Sequence, residues 1–275
     1  MEAANLSVGR DSGQAEALRL TDLSKEYPGV RALRGVSFAV QRARVHALVG
    51  ENGAGKSTLI SLIAGTNHPS AGEIEIDGTA YPALTPRLAT SLGVRLVPQE
   101  RQVCPDLTVA ENVLLGRVPT RGGVAGPVDR RAMNRQAHQL LSEVALGDVD
   151  PRMRMRDLSV ARAQLVEVAR ALSAQARLII MDEPTAALGG ADIEALFGAI
   201  RRLRERGVSF LYVSHHLEEI FDIADDVTVL RDGEHVVTRP VEGLEMDGLV
   251  QLLLGRSPEE IQLAESGRRA GESVI

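Results

Sequence analysis

The chain has 275 residues, 44% hydrophobic and 25% charged, an ordinary balance for a globular protein of one large or two small domains and an argument against general disorder. With 31 basic and 37 acidic residues the formal charge is −6, and aromatics are only 3% with no Trp, which speaks against a broad nucleic-acid surface or a stacking platform for single strands. The single Cys104 excludes an internal disulfide, and no apolar run approaches the roughly 20 residues of a membrane span.

Residues 1–16 are polar and acidic without an apolar stretch, so they read as a flexible leader rather than a signal peptide. Alternating apolar positions predict strands at 18–23 and 36–40. The run VHALV at 45–49 reads as a more buried strand that stops at Gly50, and Leu59, Leu62 and Ile63 lie at helical spacing from about Gly55. The segment joining them is Gly50-Glu51-Asn52-Gly53-Ala54-Gly55-Lys56-Ser57-Thr58. It fits G-x-x-x-x-G-K-[ST] in the strand–turn–helix setting the motif requires. Glycines let backbone N–H groups close around phosphate oxygens, and the helix N-terminus adds the positive end of its dipole. Only Lys25 and Lys56 are lysines in this arginine-rich chain. A compact ammonium at Lys56 suits the β- and γ-phosphates, and the Ser57 hydroxyl can ligate Mg²⁺.

Residues 73–76 and the Asp77-Gly78 pair predict a hairpin at the sheet's edge. Pro86 opens a short helix to Leu92, and a strand at 94–97 stops at Pro98. Strand signals are lacking between about 100 and 157, which reads as a helical insertion: a short helix at 108–115, a Gly- and Pro-rich loop at 117–128, and a longer helix from an N-cap at Asp129 to about Leu146. The α/β alternation then resumes. A helix capped by Ser159 runs to Leu172, followed by a strand at 178–181, a helix with Ile193, Leu196, Phe197, Ile200 and Leu203 on one stripe, a strand at 209–213, a helix at 217–224 and a strand at 227–230. Asp232-Gly233 marks another hairpin turn, a last helix covers 246–254, and 256–275 read as a flexible tail. Strands alternating with helices predict an α/β fold with a mostly parallel core sheet.

The strand at 178–181 ends in Asp182 and Glu183. Two acids at the tip of a buried strand, in a chain that also carries a phosphate loop, suit a carboxylate reaching Mg²⁺ through water and a general base for an attacking water. No Asn-Lys-x-Asp reader of a guanine base is present.

Further motifs resemble those of the ATP-binding cassette (ABC) ATPases. Val97-Pro98-Gln99-Glu100 looks like the family's Q-loop, Leu158-Ser159-Val160-Ala161-Arg162 like its signature, Asp182-Glu183-Pro184-Thr185 like its strand-end motif, Val213-Ser214-His215 like its switch histidine, and Tyr27 like the aromatic that stacks on adenine. They occur in family order between about Leu18 and Glu234. Finer stretches, Pro28 through Leu33, Leu107 through Val113 and Leu165 through Leu172, resemble the ribose/galactose/xylose-type sugar importers, in which two cassettes are often fused in one chain.

The resemblance implies a P-loop NTPase (RecA-like) fold over 17–255, with an antiparallel β edge subdomain and an inserted helical subdomain. It implies ATP and Mg²⁺ as cofactors and a cytoplasmic protein, peripheral on the inner face of the membrane. Its partners would be transmembrane permease subunits, a second ABC cassette, identical or not, and indirectly an extracytoplasmic sugar-binding protein, with no nucleic acid. By the same resemblance Tyr27 serves adenine, the loop 50–58 the phosphates, Ser57, Gln99 and Asp182 the metal, Glu183 the base and His215 the γ-phosphate, while Ser159 acts on the partner's nucleotide. The sequence departs from the pattern at the signature, where Ala161 stands for Gly and Arg162 for Gln. Ala161 adds a Cβ where close backbone approach is needed. Two other readings stand beside this one: a soluble regulatory ABC protein, and a nucleotide-sensing cassette with little hydrolysis of its own.

Overall fold

A computed structural model describes residues 15–100, 102–122 and 126–255. Most of the predicted leader and the whole predicted tail lie outside the described residues.

The chain opens with β1 (Glu16–Tyr27) and β2 (Val30–Gln41), two long strands paired antiparallel. Both run well beyond the stretches predicted from alternation: β1 continues through an exposed polar end, Lys25 and Glu26, and β2 starts six residues earlier, where Val30, Ala32 and Leu33 break strict alternation although Leu33 is buried. The hairpin β4 (Ala71–Ile76) and β5 (Thr79–Tyr81) does not edge the core sheet as the sequence suggested. It pairs with β1 in a separate four-stranded antiparallel sheet of order β2-β1-β4-β5.

The core sheet has six strands in the order β10-β9-β3-β8-β7-β6. It comprises β3 (Val45–Val49), β6 (Val94–Val97), β7 (Leu178–Asp182), β8 (Ser209–Val213), β9 (Asp226–Arg231) and β10 (Glu234–Pro240). Every neighbouring pair is parallel except β9–β10. β10 is a half-exposed edge strand ending in Pro240, a residue an edge tolerates.

Helices α1 (Lys56–Ile63) and α2 (Pro86–Ser91) follow β3 and β5. Between β6 and β7 come α3 (Val109–Val113), α4 (Arg130–Glu143) and α5 (Val160–Ser173); strand pairing from 102 to 157 amounts to two isolated bridges among the described residues. Thr108 and Glu111 form a reciprocal capping box on α3, and the Asp129 carboxylate accepts from the Arg131 and Ala132 N–H groups, both at 3.1 Å, to start α4. α6 (Gly190–Glu205), α7 (Leu217–Ile223) and α8 (Met246–Leu253) complete the chain. No helix of the described residues is long and apolar enough to cross a membrane.

The core sheet separates two apolar clusters. Val45, Ala47, Ile179, Met181, Phe210 and Tyr212 point to the side covered by α3–α6. Leu48, Leu178, Ile180, Leu211 and Val213 point to the side covered by α1 and the antiparallel sheet. This is the period-2 alternation of strands buried on both faces. Among the buried polar groups His46 stacks on Phe38, and its Nε2 lies 2.7 Å from the Thr228 hydroxyl. Burial, with Arg44 and His235 nearby, lowers its pKa from an ordinary 6.5 to about 3.

Candidate nucleotide site

The carboxyl ends of β3, β6, β7 and β8 lie along one rim of the core sheet, and the segments leaving them carry the predicted phosphate loop, Gln99, Asp182–Glu183 and His215. Such a rim is where open α/β sheets bind ligands. A cavity of about 870 Å³ opens there.

The loop after β3 needs its glycines. A Cβ on Gly50 would fall 2.4 Å from the Leu230 carbonyl oxygen, and Gly55, at φ 99°, would place one 2.7 Å from the Ala32 carbonyl oxygen. Both glycines are thereby packed against β9 and β2. Lys56, only 8% exposed, donates from Nζ to the Gly50 carbonyl at 2.6 Å and the Glu51 carbonyl at 3.0 Å. Burial lowers its pKa, against the opposing pull of Glu183 and Asp182. Burial raises the pKa of Asp182, helped by Glu183 and opposed by Lys56. One cation and two carboxylates therefore share a partly dry pocket.

Glu183 sits at the centre. Its backbone is left-handed, φ 46°, and its N–H donates to the Val213 carbonyl at 2.9 Å. A non-glycine residue in this region is strained unless its surroundings hold it there. Its Oε2 accepts from Gln99 Nε2 at 2.9 Å, and its Oε1 lies 3.1 Å from His215 Nδ1. The His215 ring packs against His216 with centroids 4.1 Å apart.

The fold thus brings Gly50, Glu51, Asn52, Gly53, Gly55, Lys56, Ser57, Thr58, Gln99, Asp182, Glu183 and His215 around one cavity. Ala54 is buried within the loop and does not line it. Tyr27 also does not line it. Tyr27 is 39% exposed at the end of β1, its hydroxyl accepts from Asn67 Nδ2 at 2.7 Å, and the Lys25 ammonium lies 5.0 Å from its ring centroid. Its register partner Val30, 61% exposed, does line the cavity. Ser159 is elsewhere, as the N-cap of α5, where its hydroxyl accepts from the Arg162 N–H at 3.4 Å.

Sequence reasoning missed Arg31, Arg34 and Asp232, which line the same cavity. Asp232-Gly233 was legible only as a turn. What brings it here is pairing between segments distant in sequence: the Arg34 N–H donates to the Gly233 carbonyl at 2.8 Å.

The ABC transporter family profile matches residues 33–186. The chain is 46% identical over 242 residues to a putative ribose/galactose/methyl galactoside import ATP-binding protein of Agrobacterium fabrum, covering 88% of this chain and 48% of that protein. It is 49% identical over 258 residues to a ribose import ATP-binding protein of Rubrobacter xylanophilus, covering 94% and 50%. The chain therefore spans about half the length of the curated relatives it matches. Among solved structures, an ATP-binding cassette of an ABC transporter in its ADP conformation superposes with a TM-score of 0.76 at 26% identity, covering 88% of this chain and 99% of that one. A dimeric bacterial ABC transporter cassette gives 0.68 at 26%, covering 82% and 100%. Because the family match runs from β2 to just past β7, and so takes in both the phosphate loop and the strand-tip acids, this chain belongs to the ABC transporter family.

Proposed function

We propose that this chain is the ATP-binding and ATP-hydrolysing subunit that powers import of a sugar through a partner membrane permease. The single observation that carries the hydrolytic half is Glu183, held between Gln99 and His215 in the cavity that Lys56 and Ser57 also line. The sugar half is supported by the names of relatives nearly half identical to this chain.

In this reading the backbone N–H groups of residues 50–58 and the Lys56 ammonium hold the triphosphate. Binding takes Lys56 off the Gly50 and Glu51 carbonyls and onto phosphate oxygens, exchanging neutral acceptors for charged ones. Glu183 takes a proton from the attacking water, His215 steadies the γ-phosphate, and Tyr27, next to the cavity-lining Val30, serves the adenine. A Mg²⁺ site fits the donor set. Ser57, Gln99 and Asp182 offer hard oxygen ligands, yet among the described residues no three His, Cys, Asp or Glu side chains group to hold a metal alone. Ser57, Gln99 and Asp182 would hold the ion together with the phosphates, and bound there it would supply charge neutralisation for the triphosphate. Ser159, remote from its own chain's cavity, is assigned to the nucleotide of a second cassette docked head to tail, as the dimeric structural relative suggests. The permease and an extracytoplasmic sugar-binding protein complete the assembly.

The test is phosphate release by the chain assembled with its permease. Glu183→Gln keeps the shape of the side chain but removes the base, a step worth on the order of 10²–10⁴ in rate. ATP binding should persist while turnover falls by that factor. Parental turnover in the variant would refute the assignment.

A further inference from the structure

A second polar cluster is buried where the segments leaving β7 and β8 meet α7. Glu219, 7% exposed, uses one carboxylate oxygen, Oε2, to accept three hydroxyls: Thr185 Oγ1 at 2.9 Å, Tyr212 Oη at 2.7 Å and Ser214 Oγ at 2.9 Å. All three donors are buried, and none of the four residues lines the nucleotide cavity. The Ser214 hydroxyl also accepts from the His216 N–H at 3.0 Å. Burial, then the neighbouring Glu219 carboxylate, raises the Tyr212 pKa, so its phenol stays a donor.

The placement of the donors matters more than their number. Thr185 lies two residues after Glu183, and Ser214 immediately precedes His215. Glu183 occupies left-handed backbone and is held on one side by the Val213 carbonyl. Such a conformation persists only where neighbouring contacts over-determine it. On its C-terminal side the Glu183 carbonyl accepts from the Ala186 N–H at 3.3 Å, and the Thr185 hydroxyl inside that turn is tied to Glu219 Oε2. The same oxygen anchors Ser214, and hydrogen bonds to a carboxylate in a dry interior are stiff.

We infer that Glu219 is a positioning residue: through Thr185 and Ser214 it fixes the two segments that set Glu183 and His215 3.1 Å apart. This rests on the reading of Glu183 and His215 as acting on ATP. An amide in place of the carboxylate keeps the size but weakens the acceptor and turns part of the group into a donor facing hydroxyls.

The full chain assembled with its permease is the test system, with kcat and KM for ATP from phosphate release, ATP affinity from titration and Tm from circular dichroism. Glu219→Gln and Thr185→Val should each lower kcat about 10–100-fold, the scale of a misplaced catalytic group, with KM and ATP affinity within about twofold of the parent. Thr185→Ser, which keeps the hydroxyl, should recover most of the kcat lost in Thr185→Val. The double variant Glu219→Gln with Thr185→Val should be no slower than Glu219→Gln alone, because the bond lost with Thr185 is one of those Glu219→Gln already disrupts. A fall in Tm with parental kcat in Glu219→Gln or Thr185→Val would show the cluster to be structural only. If Glu183→Gln turns over like the parent, the reading beneath the inference fails; if Glu183→Gln is inactive while Thr185→Val turns over normally, the inference alone fails.

Discussion

At the scale of single residues, Lys56 and His46 show how burial converts position into measurable behaviour. Lys56 is the only lysine in the cavity, and its charge is already partly desolvated. Lys56→Ala should weaken ATP binding about 10–100-fold, from about 1.5–3 kcal/mol per hydrogen bond to a charged group. Isothermal titration checks this, and unchanged affinity would remove Lys56 from the phosphate site. His46 makes a prediction about pH. Its folded pKa, about 3, lies below the ordinary 6.5. Between those values the unfolded chain binds a proton that the fold refuses, so stability falls as pH drops below about 6.5 and the loss is complete near 3. At pH 5 the cost is about 2 kcal/mol, 1.5 pH units at roughly 1.4 kcal/mol each. His46→Gln can keep a bond to Thr228 without titrating. Urea unfolding at pH 7.5 and pH 5 should show the variant losing about 2 kcal/mol less than the parent across that interval, and equal losses would mean that His46 takes up its proton in the fold.

At the scale of elements, α5 carries the departure from the family pattern. Ala161 is buried in its first turn, and Arg162 reaches away to pair with the Asp148 carboxylate at 2.6 Å. The guanidinium is thus drawn toward the loop before the signature. If α5 closes a partner's site, Ala161→Gly with Arg162→Gln should raise turnover of a homodimer by up to about tenfold, or 1.4 kcal/mol in the transition state, through closer backbone approach to the γ-phosphate. Steady-state phosphate release decides it. Brisk turnover by the parent alone, or no gain in the variant, would show the signature to be tolerated as it stands.

Elements also explain what was legible from sequence. β3, β6 and β8 were predicted to the residue, because strands buried on both faces read as short unbroken apolar runs bounded by turn residues. Asp129 and Ser159 were legible as N-caps because the side-chain chemistry of a cap is local. β1 was predicted too short because its outer end is polar, β2 because Ala32 and Leu33 stand side by side and break the alternation, and β10 was implied only by its turn. The cavity residues themselves could be named from motifs. That Gln99 and His215 grip one carboxylate, or that the Arg34 N–H meets the Gly233 carbonyl and so brings Asp232 to the rim, depends on the strand order and on long-range pairing, which no local pattern encodes.

For the molecule as a whole, the core sheet is a wall common to two apolar layers. Successive residues of β3, β7 and β8 face alternately into the helical layer and into the layer of α1 and the antiparallel sheet. Melting either layer would strip one face from strands on which the other depends. Heat should therefore take the whole chain apart in one step, despite the separate antiparallel sheet and the helices between β6 and β7. Differential scanning calorimetry of the full chain should give a single peak whose calorimetric enthalpy matches the van't Hoff value. Two resolved peaks would mean that the layers hold themselves together independently, and that the shared strands transmit no cooperativity between them.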